Sequence, residues 1–453
     1  MTRHQGNSLT DLGVFSLGVS VLLYSFMQYF FTPLCWWLAQ HIEQLAWMND
    51  IFVFYEMKGL DVFTGESLSY SALGIGAFFC GYLVFPARLA KIRGSLISRE
   101  WDLRKAERIF WLLFLSGFAI KAIKVMAGAN VPGIVEASIK HSLIPNPFVV
   151  FFLSFNWFHM VGLVVINIAY QESKKSHHPD ARRLRVLAYA TNVFVLAVSL
   201  STGGQAATLV PLLSLLIVRQ FYVSRRTPML SFVWRTMLFI IAIFFIKYII
   251  SEMFPSQAEA AGVGESAGFR FSLFYLLFYR VNMSEVVAAV IEKGQQAFPD
   301  GTLGQFWVDM SLYGNERINV FDGNEFGRAM GIAAPGDYAT GVAATNMGEL
   351  YINFGLAGIL LGMLLTGVLY RVFFSTCRQR LPAFVLLYAL MWPILIHGIE
   401  SPITVLFSTS IKMILLCLIV HLAITWKLTA RTHHSRFAAT PDSLAERPPA
   451  ISN

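Results

Sequence analysis

Ten apolar stretches, each close to the length a helix needs to cross the roughly 30 Å hydrocarbon core of a bilayer, constrain this chain more than any other feature. They fall at about residues 12–35, 69–87, 109–126, 148–170, 185–201, 205–223, 234–251, 347–373, 383–400 and 404–426. Lipid offers no partner for backbone N–H and C=O groups, so runs of this kind fold as helices. The expected fold is therefore all-α, a polytopic integral membrane helical bundle with about 10 spans. Charge content agrees: 14% of the 453 residues are charged, against roughly 25% in soluble domains. Disorder, a secreted disulfide scaffold and a conventional soluble enzyme are excluded on the same grounds.

The net charge of +8 would suggest nucleic acid only if the cations clustered on one soluble face. Instead they alternate. Of the 35 Lys and Arg, 24 fall in the N-terminal segment, every second connection and the tail. Ten fall in the other connections, and Lys412 lies inside the last span. By the positive-inside rule both termini are expected to be cytoplasmic. The first apolar stretch has no small-residue cleavage site and reads as a retained helix. Cys35, Cys80, Cys377 and Cys417 offer neither a disulfide framework nor zinc spacing.

One outer connection departs from the short loops. Residues 251–345 carry eleven acids and five bases, are rich in Gly, and are interrupted by Pro255, Pro299 and Pro335. A loop of this length in a compact protein usually carries function or is disordered. Its apolar stretch Phe269 to Tyr279 is too short to span and suits an interfacial or re-entrant helix. The expected organisation is seven spans with short loops over 1–250, a large outer loop with short interfacial helices over 251–345, three spans over 346–426, and a disordered cytoplasmic tail over 427–453.

Cations on the outer side run against the topology bias and call for an anion or a polar cavity. Lys121 and Lys124 lie near the outer end of the third span, Lys247 near that of the seventh, and Arg270 and Arg280 flank the short apolar stretch. Arg offers a bidentate fork to phosphate and Lys a point charge; the plainer reading is snorkelling to lipid phosphates. Glu349 opens the eighth span. It could be a helix cap, favoured by the macrodipole, or a carboxylate sheltered at the lipid boundary for general-base work. Asn353, four residues on and on the same face, could orient it or bind a sugar hydroxyl. His397 and Glu400 lie three apart at the outer end of the ninth span, as a base with its carboxylate or as a polar pair closing a helix. Gly264-Glu265-Ser266-Ala267-Gly268 matches a nucleophile-elbow pattern but has no strand before it. No metal or nucleotide motif is present, so no cofactor is expected; the chemistry would need a pre-activated substrate such as a polyprenyl pyrophosphate.

Residues 344–371, A-T-N-M-G-E-L-Y-I-N-F-G-L-A-G-I-L-L-G-M-L-L-T-G-V-L-Y-R, resemble the helix that follows the large periplasmic loop in Wzy-type oligosaccharide repeat-unit polymerases of O-antigen and exopolysaccharide pathways. Tyr279-Arg280-Val281-Asn282, Phe298-Pro299-Asp300-Gly301 and Gly304 are similar to that family's landmarks upstream. The resemblance implies a GT-C-like, metal-independent glycosyltransferase of the bacterial inner membrane. It would transfer a glycan from undecaprenyl pyrophosphate to a lipid-linked repeat unit at the periplasmic face. A chain-length regulator and a flippase are then the expected partners, and nucleic acid is not. Functional arginines of the family map onto Arg280 most directly and onto Arg270, Arg317 and Arg328 less so. Where relatives carry a Ser-Arg-Gly-like turn, this chain has Ser201-Thr202-Gly203-Gly204-Gln205; Gln205 can bond a phosphate without neutralising it. The leading reading gives catalysis to Arg280, which would bind the donor pyrophosphate, with Glu349 as the candidate base for the acceptor hydroxyl and His397 as the second choice. Substrate binding falls to Lys121, Lys124, Gln205, Lys247, Arg270, Arg317, Arg328, Asn353 and Glu400. An O-antigen ligase-like transferase shares topology and donor, and a lipid-linked oligosaccharide flippase is the non-enzymatic alternative.

Overall fold

All regular structure among the described residues is helical. The computed structural model describes residues 16–48, 65–85, 100–126, 157–201, 205–222, 283–304, 306–307, 326–327, 329–330, 344–377, 379 and 381–426. At 46–48, 121–126, 198–201 and 205–209 it describes the backbone only. Helix α1 runs Leu17–His41 and contains a π-helical turn, Met27–Phe31. Next come α2 (Gly65–Val84), α3 (Leu103–Met126), α4 (Phe158–Lys175), α5 (Ala181–Ser201), α6 (Gln205–Tyr222) and α7 (Met283–Ala297). The expected span at 234–251 and the stretch Phe269 to Tyr279 lie outside the described residues.

The helical stretch Asn346–Cys377 is two helices. Gly355 has φ 60° and ψ −154°, a region open in practice only to glycine, and the chain reverses there. A Cβ on Gly358 would sit 2.3 Å from the Leu350 carbonyl oxygen, and one on Gly362 would sit 2.4 Å from a Leu350 methyl. In a straight helix those pairs would be about 12 and 18 Å apart along the axis. Residues 346–354 (α8) and 356–377 (α9) therefore form a hairpin with Gly355 at its apex. Only α9 occupies the position expected of the span at 347–373, and at 1.5 Å per residue it is long enough to cross. Asn346 shares a small buried cavity with Phe78, Thr366 and Tyr370. The start of α8 is thus submerged about 15 Å below the apex, beside the middle of α9. Non-helical backbone is tolerated at that depth only inside protein, and residues 344–350 are all buried. Thr345 Oγ1 accepts the Gly348 N–H at 3.0 Å and caps α8.

Helices α10 (Pro382–His397) and α11 (Ile403–Thr425) complete the bundle. By length and composition α1, α2, the stretch holding α8 and α9, and α11 can cross a membrane, while α10 is apolar but shorter. The protein is a multi-pass membrane protein. Every residue of α10 from Phe384 to Ile396 except Leu387 is buried, as a helix apolar on all sides requires. It packs against α1, α4, α6, α9 and α11. Pro393 lacks the N–H that would bond the Ala389 carbonyl; the Ser214 hydroxyl of α6 donates to that oxygen instead, at 2.9 Å. Between α2 and α9, a Cβ on Gly81 would meet the Leu364 carbonyl and one on Gly367 the Phe78 carbonyl, each at 2.0 Å. Close backbone approach through small residues is how helices associate in lipid, where burial gives no net drive.

Side-chain bonds join helix ends that the alternating pattern places on the same side. Trp101 Nε1 donates to His421 Nδ1 at 3.1 Å, the Lys105 ammonium reaches the Trp426 carbonyl, and Arg183 pairs with Glu107. Tyr222 donates to Glu172 at 2.7 Å. The basic ends of α3, α4, α5, α6 and α11 therefore gather at one end of the bundle. The α8–α9 apex, α7 and the α10–α11 turn lie at the opposite end.

Candidate functional site

The opposite end is organised around Glu349. Three segments distant in sequence meet at its carboxylate, which is fully buried. Oε2 accepts the Thr404 N–H at 3.0 Å and the Thr404 hydroxyl at 3.2 Å; Oε1 accepts the Thr302 hydroxyl at 3.3 Å. Thr404 lies in the first turn of α11, whose N-cap, Pro402, has no side-chain bond to offer. Glu349 thus supplies from α8 the acceptor that α11 lacks, at the positive end of that helix. It is a cap, as one sequence reading allowed, but of α11 and not of its own helix.

Asn353, one turn further along α8, extends the network. Its Oδ1 accepts the Thr302 N–H at 2.8 Å. Its Nδ2 donates to the Thr302 hydroxyl at 2.6 Å and to the Glu349 carbonyl at 2.8 Å. Gly301 makes this approach feasible: φ is +69° there, and a Cβ would lie 2.6 Å from Asn353 Oδ1. The amide of Asn353 is therefore committed to holding the 298–304 segment onto α8. Helix α7, just before that segment, lays Val286 and Val290 against Ile352, Phe326 and Met330 in a small core of its own.

His397 and Glu400 form a second constellation in the turn between α10 and α11. His397 Nε2 lies 2.9 Å from Glu400 Oε1, with His397 61% exposed and Glu400 15% exposed. Nδ1 of the same ring is 3.3 Å from the Ser401 hydroxyl. Tyr24 of α1 faces Glu400, and the Tyr29 hydroxyl donates to the Ile399 carbonyl at 3.1 Å. Tyr29 belongs to the π-helical turn of α1, a feature found often beside functional sites. The carboxylate is thus packed and oriented while the imidazole is open, the arrangement of a base with its orienting partner.

The remaining candidates divide by position. Lys121 and Lys124 fall in the last two turns of α3 and Gln205 opens α6, all three described by backbone alone. Lys247, Arg270, Arg280, Arg317 and Arg328 lie outside the described residues. Among the described residues, Glu349 is held by hydroxyls and amides and has no cationic partner. Thr302, Thr404 and Tyr24 were not legible as site residues. Thr302 directly follows the Phe298-Pro299-Asp300-Gly301 landmark and Thr404 follows Pro402 by two positions, the nearest sequence signals to their roles.

A groove of about 770 Å³ opens beside Glu349, between the α8–α9 hairpin and α11 and under Leu303 and Phe306. No curated protein and no solved structure matches the chain. Residues 45–411 match the O-antigen polymerase family, a span that contains every candidate site residue, the long polar connection and the hairpin. With this match over most of its length, the chain belongs to the O-antigen polymerase family.

Proposed function

We propose that the protein polymerises a lipid-linked oligosaccharide at the periplasmic face of the inner membrane, with both termini in the cytoplasm. A hydroxyl of the acceptor repeat unit attacks the anomeric carbon of the donor glycan. The bond from that carbon to the diphosphate oxygen breaks, and undecaprenyl pyrophosphate leaves. The acceptor proton passes to His397. The observation that carries this reading is the His397–Glu400 pair, open on the imidazole side and placed at the non-basic end of the bundle. With Nε2–H given to Glu400, the Nδ1 lone pair is the one that can take a proton. The leaving diphosphate is neutralised by Arg280, three residues upstream of α7, with Arg270, Arg317, Arg328, Lys247, Lys121 and Lys124 as supporting cations and Gln205 as a neutral donor. No metal is needed in this scheme, because the glycosyl donor is already activated.

Glu349 and Asn353 serve here as positioning residues. Both carboxylate oxygens of Glu349 and the whole amide of Asn353 are engaged in joining α8, α11 and the 298–304 segment. The test is a deletion strain complemented with wild type or His397→Ala. Wild type restores long glycan chains; the variant leaves single lipid-linked repeats on the periplasmic side. Accumulation on the cytoplasmic side would mark a flippase instead. Normal chain length with unattached polymer would mark a ligase.

A further inference from the structure

We propose that the groove between the α8–α9 hairpin and α11 holds the isoprenoid chain of the lipid-linked substrate, an inference that rests on the polymerase reading. The groove exists because of the reversal at Gly355. Folding back sets α8 against α9 where Gly358 and Gly362 present no side chain, and the wedge left beside α11 is filled by neither helix. Its walls are Leu350, Phe354, Leu361, Leu365 and Phe407, with Thr366 and Thr404 as the polar exceptions. Among the described residues, no charged side chain lines it. Water does not stably fill an apolar space, and Leu361 and Leu365 are 69% and 56% exposed on the lipid-facing surface of α9. The occupant is therefore hydrocarbon.

Size and position select which hydrocarbon. At about 30 Å³ per chain carbon, the share of one liquid water, the groove holds roughly 25 carbons, about five isoprene units. A long, methyl-branched polyprenyl chain fills it with its first isoprene units. One end of the groove is Thr404, which is bonded to Glu349 and lies just after the His397–Glu400 turn. The other end is Thr366, near mid-depth of α9. A chain lying between these ends keeps its diphosphate at the bundle end that carries the His–Glu pair. Leu303 and Phe306 cover the groove at that end and separate the chain from water.

The experiment uses the full chain in nanodiscs and a polyprenyl-diphosphate probe with a photoactivatable group on its fourth isoprene unit. Adducts are expected on peptides containing 350–365 and 403–407, resisting an excess of phosphatidylglycerol. Ala357→Trp fills the groove from α9 and is expected to reduce labelling about ten-fold. Leu369→Trp, exposed on the same helix outside the groove, keeps full labelling. Leu361→Trp on the rim serves as a second obstruction if Ala357→Trp does not fold. Adducts elsewhere, equal labelling of the obstructed and control variants, or displacement by phosphatidylglycerol would each overturn the proposal. Polymer formation is measured on the same wild-type sample. Polymer with adducts elsewhere refutes the groove and leaves the polymerase intact. Adducts in the groove without polymer refute the polymerase and leave the lipid site standing.

Discussion

Glu349→Ala separates a brace from a base. The substitution removes the acceptor for the Thr404 N–H at 3.0 Å and for two hydroxyls at 3.2 and 3.3 Å. A hydrogen bond contributes a net of about 0.5–1.5 kcal/mol, so the three together supply about 3 kcal/mol. The buried Thr404 N–H, left at a helix start with no other cap, adds to the loss. We expect a destabilisation of ~3 kcal/mol. With an unfolding entropy of about 2.1 cal/mol/K per residue over the whole chain, that lowers the melting temperature by ~3 °C. The assay is thermal unfolding of the purified protein followed by tryptophan fluorescence. It is run alongside Thr302→Val and the double variant, whose effects should fall short of additive by about 1 kcal/mol because the two side chains share a bond. Polymer yield should fall in step with folded protein. An unchanged melting temperature with complete loss of polymer would refute the bracing role and return Glu349 to the chemistry.

Gly355→Ala forces a β-carbon into a backbone region closed to it and should cost at least about 1–3 kcal/mol; expression and melting temperature report the loss, which side-chain repacking cannot relieve because the strain is in the backbone itself. Ser214→Ala removes the donor to the carbonyl freed by Pro393 and should cost about 1–3 kcal/mol in the same unfolding assay. Arg280→Ala should abolish polymer at normal protein level, with Arg280→Lys retaining part of it, measured by glycan gel. Glu400→Gln should lower polymer yield less than His397→Ala does, since it disturbs the orientation of the base without removing it.

The all-helical, membrane-crossing character of the chain was legible because it is written in local composition. Glu349 with Asn353, and His397 with Glu400, were found by helical spacing alone, which places side chains on one face before any tertiary contact is known. The hairpin at Gly355 was not legible. Apolar residues continue through the reversal at helical spacing on both sides, so hydropathy sees one long span where the backbone makes two helices. The partners of Glu349 were hidden for a different reason: Thr302 and Thr404 lie 47 and 55 residues away, and only the packed bundle brings them together. Tyr24 reads as one more aromatic in an apolar helix until the α10–α11 turn is set against it.

The central claim is that this chain builds polymer with His397 as its base. The direct measurement incubates purified wild-type and His397→Ala protein with one synthetic undecaprenyl-diphosphate repeat unit and resolves the products by size. Wild type should give a ladder of chains with release of undecaprenyl pyrophosphate, and the variant, folded because His397 is largely exposed, should give single repeats only. A full ladder from His397→Ala, or no ladder from wild type, would contradict the account.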